Sequence, residues 1–199
     1  MIMRLYTGLE TSLETGIWQP EGIPTVYNFI NRAATSYDLT IFLTCKDSGK
    51  TYMSGWKEKK DHNFYLTGLP APFVVLAGTS FFGKHLPRKL AMIFRDLRHF
   101  YKVFHFVRSE KPDLIYCDGA NVTFAYCLSK IFPRTRVVLR LLGICSFLRG
   151  LPDATRLVHR IYKLAFRGMF SMAIGTQDGT GTEYFFDRAL TSSIDPWVE

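Results

Sequence analysis

One acidic residue stands where a parallel sheet would present a catalytic group. Asp118 lies in the segment Tyr116-Cys117-Asp118-Gly119, at the carboxyl end of a predicted interior strand. A carboxylate in that position can act as a general base or hold a substrate hydroxyl. Aspartate also caps helices, and a helix is predicted from Asn121. Catalysis and capping are therefore two open interpretations of Asp118.

Two glycine-containing segments follow predicted strands. Ser48-Gly49-Lys50-Thr51 resembles the end of a phosphate loop, but Thr44 occupies the position of that loop's first glycine, so a surface turn is favoured. Residues 175–181 contain glycines spaced four and two apart, unlike a dinucleotide-binding fingerprint. They predict a tight strand-to-helix turn, in which Asp178 or Thr180 either caps the helix or also lies near a ligand.

Metal and hydrolase chemistry have no sequence motif here. The five histidines and four cysteines lack metal-ligand or C-x-x-C spacing, and no serine lies in G-x-S-x-G. The sequence therefore predicts no metal site and no hydrolase nucleophile.

The elements that would position these residues alternate short apolar strands with amphipathic helices. Strands are predicted at Ile2–Tyr6, Leu39–Cys45, Asn63–Thr67, Phe73–Leu76, Leu114–Cys117, Arg136–Leu142 and Met172–Gly175, and helices from Pro24, Pro87, Asn121, Asp153 and Thr182. The pattern predicts an α/β fold, a three-layer Rossmann-like domain with a mainly parallel sheet flanked by helices. Ligands of such sheets bind outside the carboxyl ends of the strands, where Asp118 is predicted.

Composition supports a folded domain and places the positive charge in two segments. The chain has 199 residues, 47% of them hydrophobic, which excludes a disordered or low-complexity protein. The formal net charge is +8. Residues 84–111 hold eight Lys and Arg against two acids, and residues 134–167 hold eight against one.

Each basic segment contains a predicted amphipathic helix. In the first, an apolar series at helical spacing predicts a core face, formed by Leu90, Ile93, Leu97, Phe100, Phe104 and Val107. The residues predicted to face outward are Arg88, Arg95 and Lys102 in the first helix and Arg156, Arg160, Lys163 and Arg167 in the second. Leu157, Ile161, Leu164 and Phe170 are predicted to supply apolar contacts in the second helix. The basic surfaces are either solvated outer faces or sites that dock on anionic lipid.

Nucleic acid is not an expected partner, because aromatic residues do not interleave with these charges as a base-stacking surface requires.

No apolar run reaches the length of a membrane-spanning helix, and the first residues lack the apolar core of a signal peptide. The sequence therefore predicts a cytoplasmic protein, for which a peripheral position on the inner membrane face is an option.

The order and spacing of several segments resemble a known family. These segments are Lys111-Pro-Asp-Leu-Ile-Tyr116, Arg136-Val-Val-Leu-Arg-Leu-Leu-Gly143, Tyr162-Lys-Leu-Ala-Phe166 and Ala173-Ile-Gly-Thr-Gln-Asp-Gly-Thr180. Together with an amino-terminal strand, a glycine-bearing loop and a helix from Pro24, they resemble the amino-terminal, acceptor-binding domain of family-4 glycosyltransferases with the GT-B fold.

The resemblance implies a two-domain enzyme that transfers a sugar from a nucleotide-sugar donor to a polysaccharide or lipid-linked glycan acceptor. In that fold the donor binds mainly the carboxyl-terminal domain, which carries two glutamates eight residues apart. No two glutamates have that spacing here. The expectation is an acceptor-binding domain at 1–190 and the start of an interdomain linker at 191–199, with the donor domain absent, no metal or other cofactor, and no transfer by this chain alone.

The resemblance also implies roles for particular residues. Asp118 is the catalytic candidate, because the histidine found in many family members is missing here. Substrate-binding candidates are Glu10, Thr11, Gly16 and Trp18 in the loop after the first strand, Arg140 and Gly143 after a later strand, and Asp178 in the turn before the last helix. Two alternatives remain: a non-catalytic basic α/β module that binds anionic lipid or nucleic acid, and a small nucleotide-binding enzyme.

Overall fold

The chain folds into two compact units, Met1–His105 and Phe106–Glu199. They are seen in a computed structural model, which describes residues 1–5, 7–22, 24–45, 61–78, 87–153, 155–176, 181–190, 194 and 196–198. Each unit is an α/β arrangement in which short apolar strands form a mainly parallel sheet. The fold class predicted from the sequence, a three-layer Rossmann-like fold, is confirmed.

In the first unit, the described residues form four strands in the order β3-β4-β2-β1. Their bounds, with those of the helices, are β1 Ile2–Arg4, α1 Glu10–Thr15, α2 Pro24–Ser36, β2 Ile41–Thr44, β3 His62–Tyr65, β4 Pro72–Leu76 and α3 Arg88–Glu110, which runs on into the second unit. Strands β1, β2 and β4 pair in parallel, and β3 is an antiparallel edge strand. The four residues of β2 are all buried, as expected of an interior parallel strand.

In the part of the second unit that the structure describes, four parallel strands lie in the order β5-β6-β7-β8. Its elements are β5 Leu114–Asp118, α4 Val122–Ile131, β6 Arg136–Leu141, α5 Ser146–Arg149, α6 Leu157–Phe166, β7 Met172–Gly175, α7 Thr182–Ala189 and β8 Pro196–Val198. Helix α4 packs against β5, β6 and α6. Strand β8 lies within the segment for which the sequence predicts the start of a linker.

The segment after β1 is helical, although the sequence predicts a loop there. A 3-10 turn at Thr7–Leu9 leads into α1, which ends at Gly16 in a left-handed conformation with φ of 72°. Leu9 and Leu13 are buried, four residues apart on one side of the turn. Burial of these two side chains stabilises a short helix in a sequence that is otherwise rich in glycine, threonine and glutamate.

The face of α3 that the sequence assigns to the core is wrong along the first half of the helix. Arg95, His99 and Val103 are buried, and Arg95 is only 2% exposed, whereas Ile93 and Leu97 on the predicted core face are exposed. Arg95 therefore cannot face a membrane. Its burial is tolerated because the Nε and a terminal amine of its guanidinium both lie 3.0 Å from the Asp96 carboxylate.

Helix α6 begins later than the sequence predicts. Asp153 does not cap it; the helix starts at Leu157, preceded by Arg156, which has no side-chain capping bond. The carboxylate of Asp153 accepts hydrogen bonds from Arg188 instead. Leu157, Ile161 and Leu164 are exposed, although apolar contacts were expected of them, while Phe170 is buried as predicted.

Candidate active site at the carboxyl ends of β5, β6 and β7

Two buried charged residues lie side by side at the carboxyl ends of neighbouring strands. Asp118 ends β5 and Arg140 lies in β6, and the two are paired in the register of the parallel strands. Both are buried, Asp118 at 2% and Arg140 at 5% exposure. Buried charges of opposite sign at this edge give the site a fixed electrostatic pattern.

Asp118 caps the turn that follows β5. Its Oδ1 accepts a hydrogen bond from the backbone N–H of Asn121 at 3.1 Å and another from the Asn121 side-chain amide at 2.7 Å. The capping interpretation is thus confirmed. A catalytic role for the same carboxylate stays a prediction, and any such role would use a group whose orientation is fixed by Asn121.

Three glycines lie where the chain turns away from the ends of β5, β6 and β7. A Cβ atom at Gly119 would clash with Leu141 Cδ2, and one at Gly175 would clash with Thr182 Cγ2. Gly143 has φ of 79°, in the left-handed region that favours glycine, and turns the chain directly after β6. The chain after β5 thus lies close to the end of β6, and α7 lies close to the end of β7.

Thr182 fastens the start of α7 to the end of β7. Its hydroxyl donates a hydrogen bond to the Thr176 carbonyl at 2.9 Å, and its side chain is buried. The backbone conformation before it is set by Gly181, with φ of 87°. The first turn of α7 is thereby held against the strand end.

A cavity of about 240 Å³ opens beside the ends of β6 and β7. Its walls are almost wholly apolar, and its lining residues are Ile144, Arg149, Pro152, Gly181, Tyr184 and Phe185. An apolar recess with a few polar groups is the usual form of a small-molecule subsite. The lining favours the apolar part of a ligand, and Arg149 and Tyr184 are the lining residues that also carry polar groups.

Arg188 connects Tyr184, a lining residue of the cavity, to Asp153. Arg188 donates two hydrogen bonds to the Asp153 carboxylate, at 2.6 and 3.3 Å, and one to the Tyr184 hydroxyl at 2.5 Å. The hydrogen bond with Asp153 raises the pKa of Arg188. Tyr184, which is 61% exposed, is the second partner of this guanidinium.

The thiol next to Asp118 is not a nucleophile. Cys117 is fully buried, and this burial, with the neighbouring Asp118 charge, raises the pKa of the Cys117 thiol well above its ordinary value. A protonated thiol is a poor nucleophile and a poor metal ligand. Within the described ranges there is also no group of three or more His, Cys, Asp and Glu side chains that could hold a metal ion.

The substrate-binding candidates of the first unit have structural roles there. Gly16 provides the left-handed end of α1. Trp18 stacks on Phe73 with ring centroids 5.7 Å apart, and its Nε1 donates to the side-chain oxygen of Asn31 at 2.6 Å.

The other two candidates in that unit belong to α1. Glu10 is its first residue, and partial burial together with the charge of Glu14 raises the pKa of Glu10. Thr11 is exposed, and its carbonyl accepts a hydrogen bond from Thr15.

A polar cluster at the end of β4 was not predicted. Arg98 donates to the Ala77 carbonyl at 2.6 Å and to Asp61 at 3.2 Å, while Asp61 accepts from the Ala77 N–H at 2.9 Å. The buried His99 lies with Nε2 2.8 Å from the same carbonyl, which can only accept, so Nε2 carries the proton. The signal for this cluster was available, because Ala77 directly follows a predicted strand.

The remaining predicted residues are placed as follows. Asp178 and the segment 48–51 lie outside the described residues, as does the side chain of Arg88. Lys102 is exposed, with its amine 3.8 Å from Asp61. Arg156, Arg160 and Arg167 are exposed, and Lys163 is partly exposed.

Comparison with known proteins finds no family model that matches the chain, no match among curated proteins and no match among solved structures. The structure defines the class of the protein as an α/β Rossmann-like fold. None of the helices in the described ranges combines the length and hydropathy needed to cross a bilayer.

Proposed function

We propose that this chain is the acceptor-binding part of a glycosyltransferase that uses a nucleotide-sugar donor. The acceptor would be a polysaccharide or a lipid-linked glycan, and it would bind at the carboxyl ends of β5, β6 and β7. The resemblance of the sequence to family-4 glycosyltransferases supports the reaction class. Transfer itself would also require a donor-binding domain.

The observation that carries the proposal is the coincidence of buried charge and a cavity at one edge of the second unit. Asp118 and Arg140 are adjacent at the ends of β5 and β6, and the cavity is lined by residues that follow β6 and β7, among them Arg149 and Tyr184. Ligands of parallel α/β sheets bind at this edge. Glycosyl acceptors present hydroxyls and, when lipid-linked, phosphate and apolar groups, which suit this mixture of side chains.

The residues divide into two proposed roles. Arg149 and Tyr184 would contact the acceptor, with the guanidinium donating to an anionic or hydroxyl group. Asp118 would orient or deprotonate the attacking hydroxyl, while Arg140 would stabilise negative charge near it. Positioning and charge stabilisation by these side chains would be their contribution to transfer.

Ligand binding by the intact chain tests the proposal. Calorimetric titrations would compare oligosaccharides and a detergent-solubilised lipid-linked oligosaccharide with nucleotide sugars, ATP, GTP and a single-stranded oligonucleotide. The proposal predicts saturable binding of a glycan. Arg149→Gln and Tyr184→Ala should each weaken that binding about tenfold, the change expected when one charge-assisted or well-packed contact is lost.

Arg134→Gln is the matched control, because it removes the same charge from an exposed residue before β6, at the opposite ends of the strands. It should leave glycan binding unchanged. Tight ATP or GTP binding without glycan binding would favour a small nucleotide-binding enzyme. Selective oligonucleotide binding would favour a non-catalytic module, and either result would overturn the proposal.

A further inference from the structure

Helix α6 exposes a line of large apolar side chains. Leu157, Ile161 and Leu164 follow the spacing i, i+4, i+7 and are 73%, 52% and 53% exposed. That spacing puts all three on one side of the helix. Such a continuous apolar line at the surface marks a contact with a partner molecule or a membrane.

A line of basic residues runs beside it, with Arg160 and Lys163 in the helix and Arg156 and Arg167 directly at its two ends. They follow the spacing i, i+4, i+7, i+11 and form a neighbouring stripe. In the part of the chain that the structure describes, the ion pairs involve other residues and none of these four. Their positive charge is thus available to an external anion.

The opposite side of α6 is fixed to the body of the second unit. Ala165 and Phe166 are buried, and α6 packs against α4. Phe166 also makes an edge-to-face contact with Phe185 of α7, with ring centroids 5.0 Å apart. Anchoring on this side leaves the apolar and basic stripes facing away from the unit.

We propose that α6 docks the second unit on a surface of anionic phospholipid. The helix would lie in the plane of the membrane, with Leu157, Ile161 and Leu164 among the acyl chains. Arg156, Arg160 and Arg167 would contact the lipid phosphates. A short helix with an apolar line and a cationic line side by side is the form that interfacial membrane binding requires.

Charge complementarity selects lipid over a protein partner. Residues 156–167, which are α6 and its two flanking residues, hold four Lys and Arg and no acid. An anionic bilayer offers negative charge at every point along the basic stripe and an apolar layer beneath it, so both stripes are satisfied together. This inference does not rest on the proposed glycosyltransferase function and adds a partner to it.

Helix α3 provides an internal contrast. Ile93 and Leu97 are exposed there to a similar degree as the α6 stripe. Arg95 pairs with Asp96, and Arg98 and Lys102 both approach Asp61, whereas Lys89 and Arg108 are exposed. Three cations of α3 are therefore paired within the protein, in contrast to the basic stripe at α6.

Vesicle binding by the intact chain tests the proposal. Sedimentation would compare vesicles of phosphatidylcholine with vesicles that also contain phosphatidylglycerol. We expect binding only to the anionic vesicles. Leu157→Ser with Ile161→Ser should reduce that binding more than tenfold, and Arg156→Gln with Arg160→Gln should reduce it roughly fivefold per residue, the value of one basic contact at such a surface.

Two control variants match these changes. Ile93→Ser with Leu97→Ser removes equally exposed apolar side chains from α3, and Arg134→Gln with Arg136→Gln removes the same charge from exposed residues outside α6. The apolar control should bind like the parent chain. The charge control should lose less than the α6 arginine pair. Equal losses in the controls and the α6 variants would overturn the proposal, as would binding to neither type of vesicle.

A second measurement locates the contact. Ile161→Trp and Leu97→Trp would each be mixed with anionic vesicles that contain brominated lipid. Quenching beyond that of the parent chain is expected at position 161 and not at position 97. If position 161 is not quenched, or if the serine pair in α6 instead converts a dimer to a monomer in light scattering, the stripe is covered by protein and the proposal fails.

Discussion

Asp118 caps the turn after β5, and substitutions can separate this capping role from a role in catalysis. Its carboxylate accepts both hydrogen bonds from Asn121, so Asp118→Ala would remove a cap and leave a buried amide without its acceptor. We expect a loss of about 2 kcal/mol in the free energy of unfolding, measured by urea denaturation.

Asp118→Asn is the companion variant. Its side-chain oxygen can accept the same two bonds, so it should lose less than half as much stability. Equal losses in the two variants would contradict the capping role. Once a glycan acceptor and donor domain are in hand, loss of transfer in a stably folded Asp118→Asn variant would identify a chemical role for the charge.

The contact between Gly175 and Thr182 gives a second prediction for single residues. A Cβ at position 175 would clash with Thr182 Cγ2 and would lie 2.9 Å from the Phe186 ring. Gly175→Ala should therefore lower the free energy of unfolding by about 1–3 kcal/mol.

Adding Thr182→Ser to Gly175→Ala should recover part of that loss. Serine lacks the clashing methyl group but keeps the hydroxyl that donates to the Thr176 carbonyl. A double-mutant cycle measured by thermal or urea unfolding reports the coupling. Additive losses would show that the methyl group is not the obstacle.

Among the elements, α3 shows what sequence patterns predict and what they miss. The bounds of α3 can be predicted from the helical periodicity that follows Pro87. The side of the helix that faces the core cannot, because the periodicity assumes that polar residue types are exposed. Arg95 and His99 are polar types, yet both are buried, with partners in Asp96 and the Ala77 carbonyl. Those partners satisfy the polar groups and are known only once the fold is known.

The orientation of α3 predicts a contrast between two substitutions. Val103→Ala removes two buried methyl groups and should lower the free energy of unfolding by about 2 kcal/mol. Ile93→Ala shortens a side chain that is 54% exposed and should change it by less than about 0.5 kcal/mol. Urea denaturation of the two variants measures both changes. A larger loss of stability for Ile93→Ala would instead support the core face that was predicted from the sequence.

The strand ends were predictable, but the cavity beside them was not. Short β-branched and apolar runs identify β5, β6 and β7, and parallel α/β sheets bind ligands at their carboxyl ends. The cavity depends on α5, which has four residues and too few turns to show a periodicity. Arg149 and Tyr184 come from different elements, and only the packing of those elements brings them to one cavity.

For the whole molecule, the four cysteines report on folding. Cys145 is exposed and Cys117 is fully buried, with a pKa raised by burial. A maleimide should label Cys145 rapidly in the native protein, while Cys117 should react only at the rate at which the second unit unfolds. Mass spectrometry of digested samples identifies each labelled site. Rapid native labelling of Cys117 would contradict the buried position of β5.

The central claim is that a glycan acceptor binds at the carboxyl ends of β5, β6 and β7. Backbone NMR of the labelled chain, titrated with a glycan that binds, tests it directly. The account predicts shift changes in Gly119–Asn121, in Gly143–Arg149 and in Gly181–Tyr184, with little change at the amino ends of the strands near Arg134. Changes confined to residues near Arg134, or changes produced by nucleotides and not by any glycan, would contradict it.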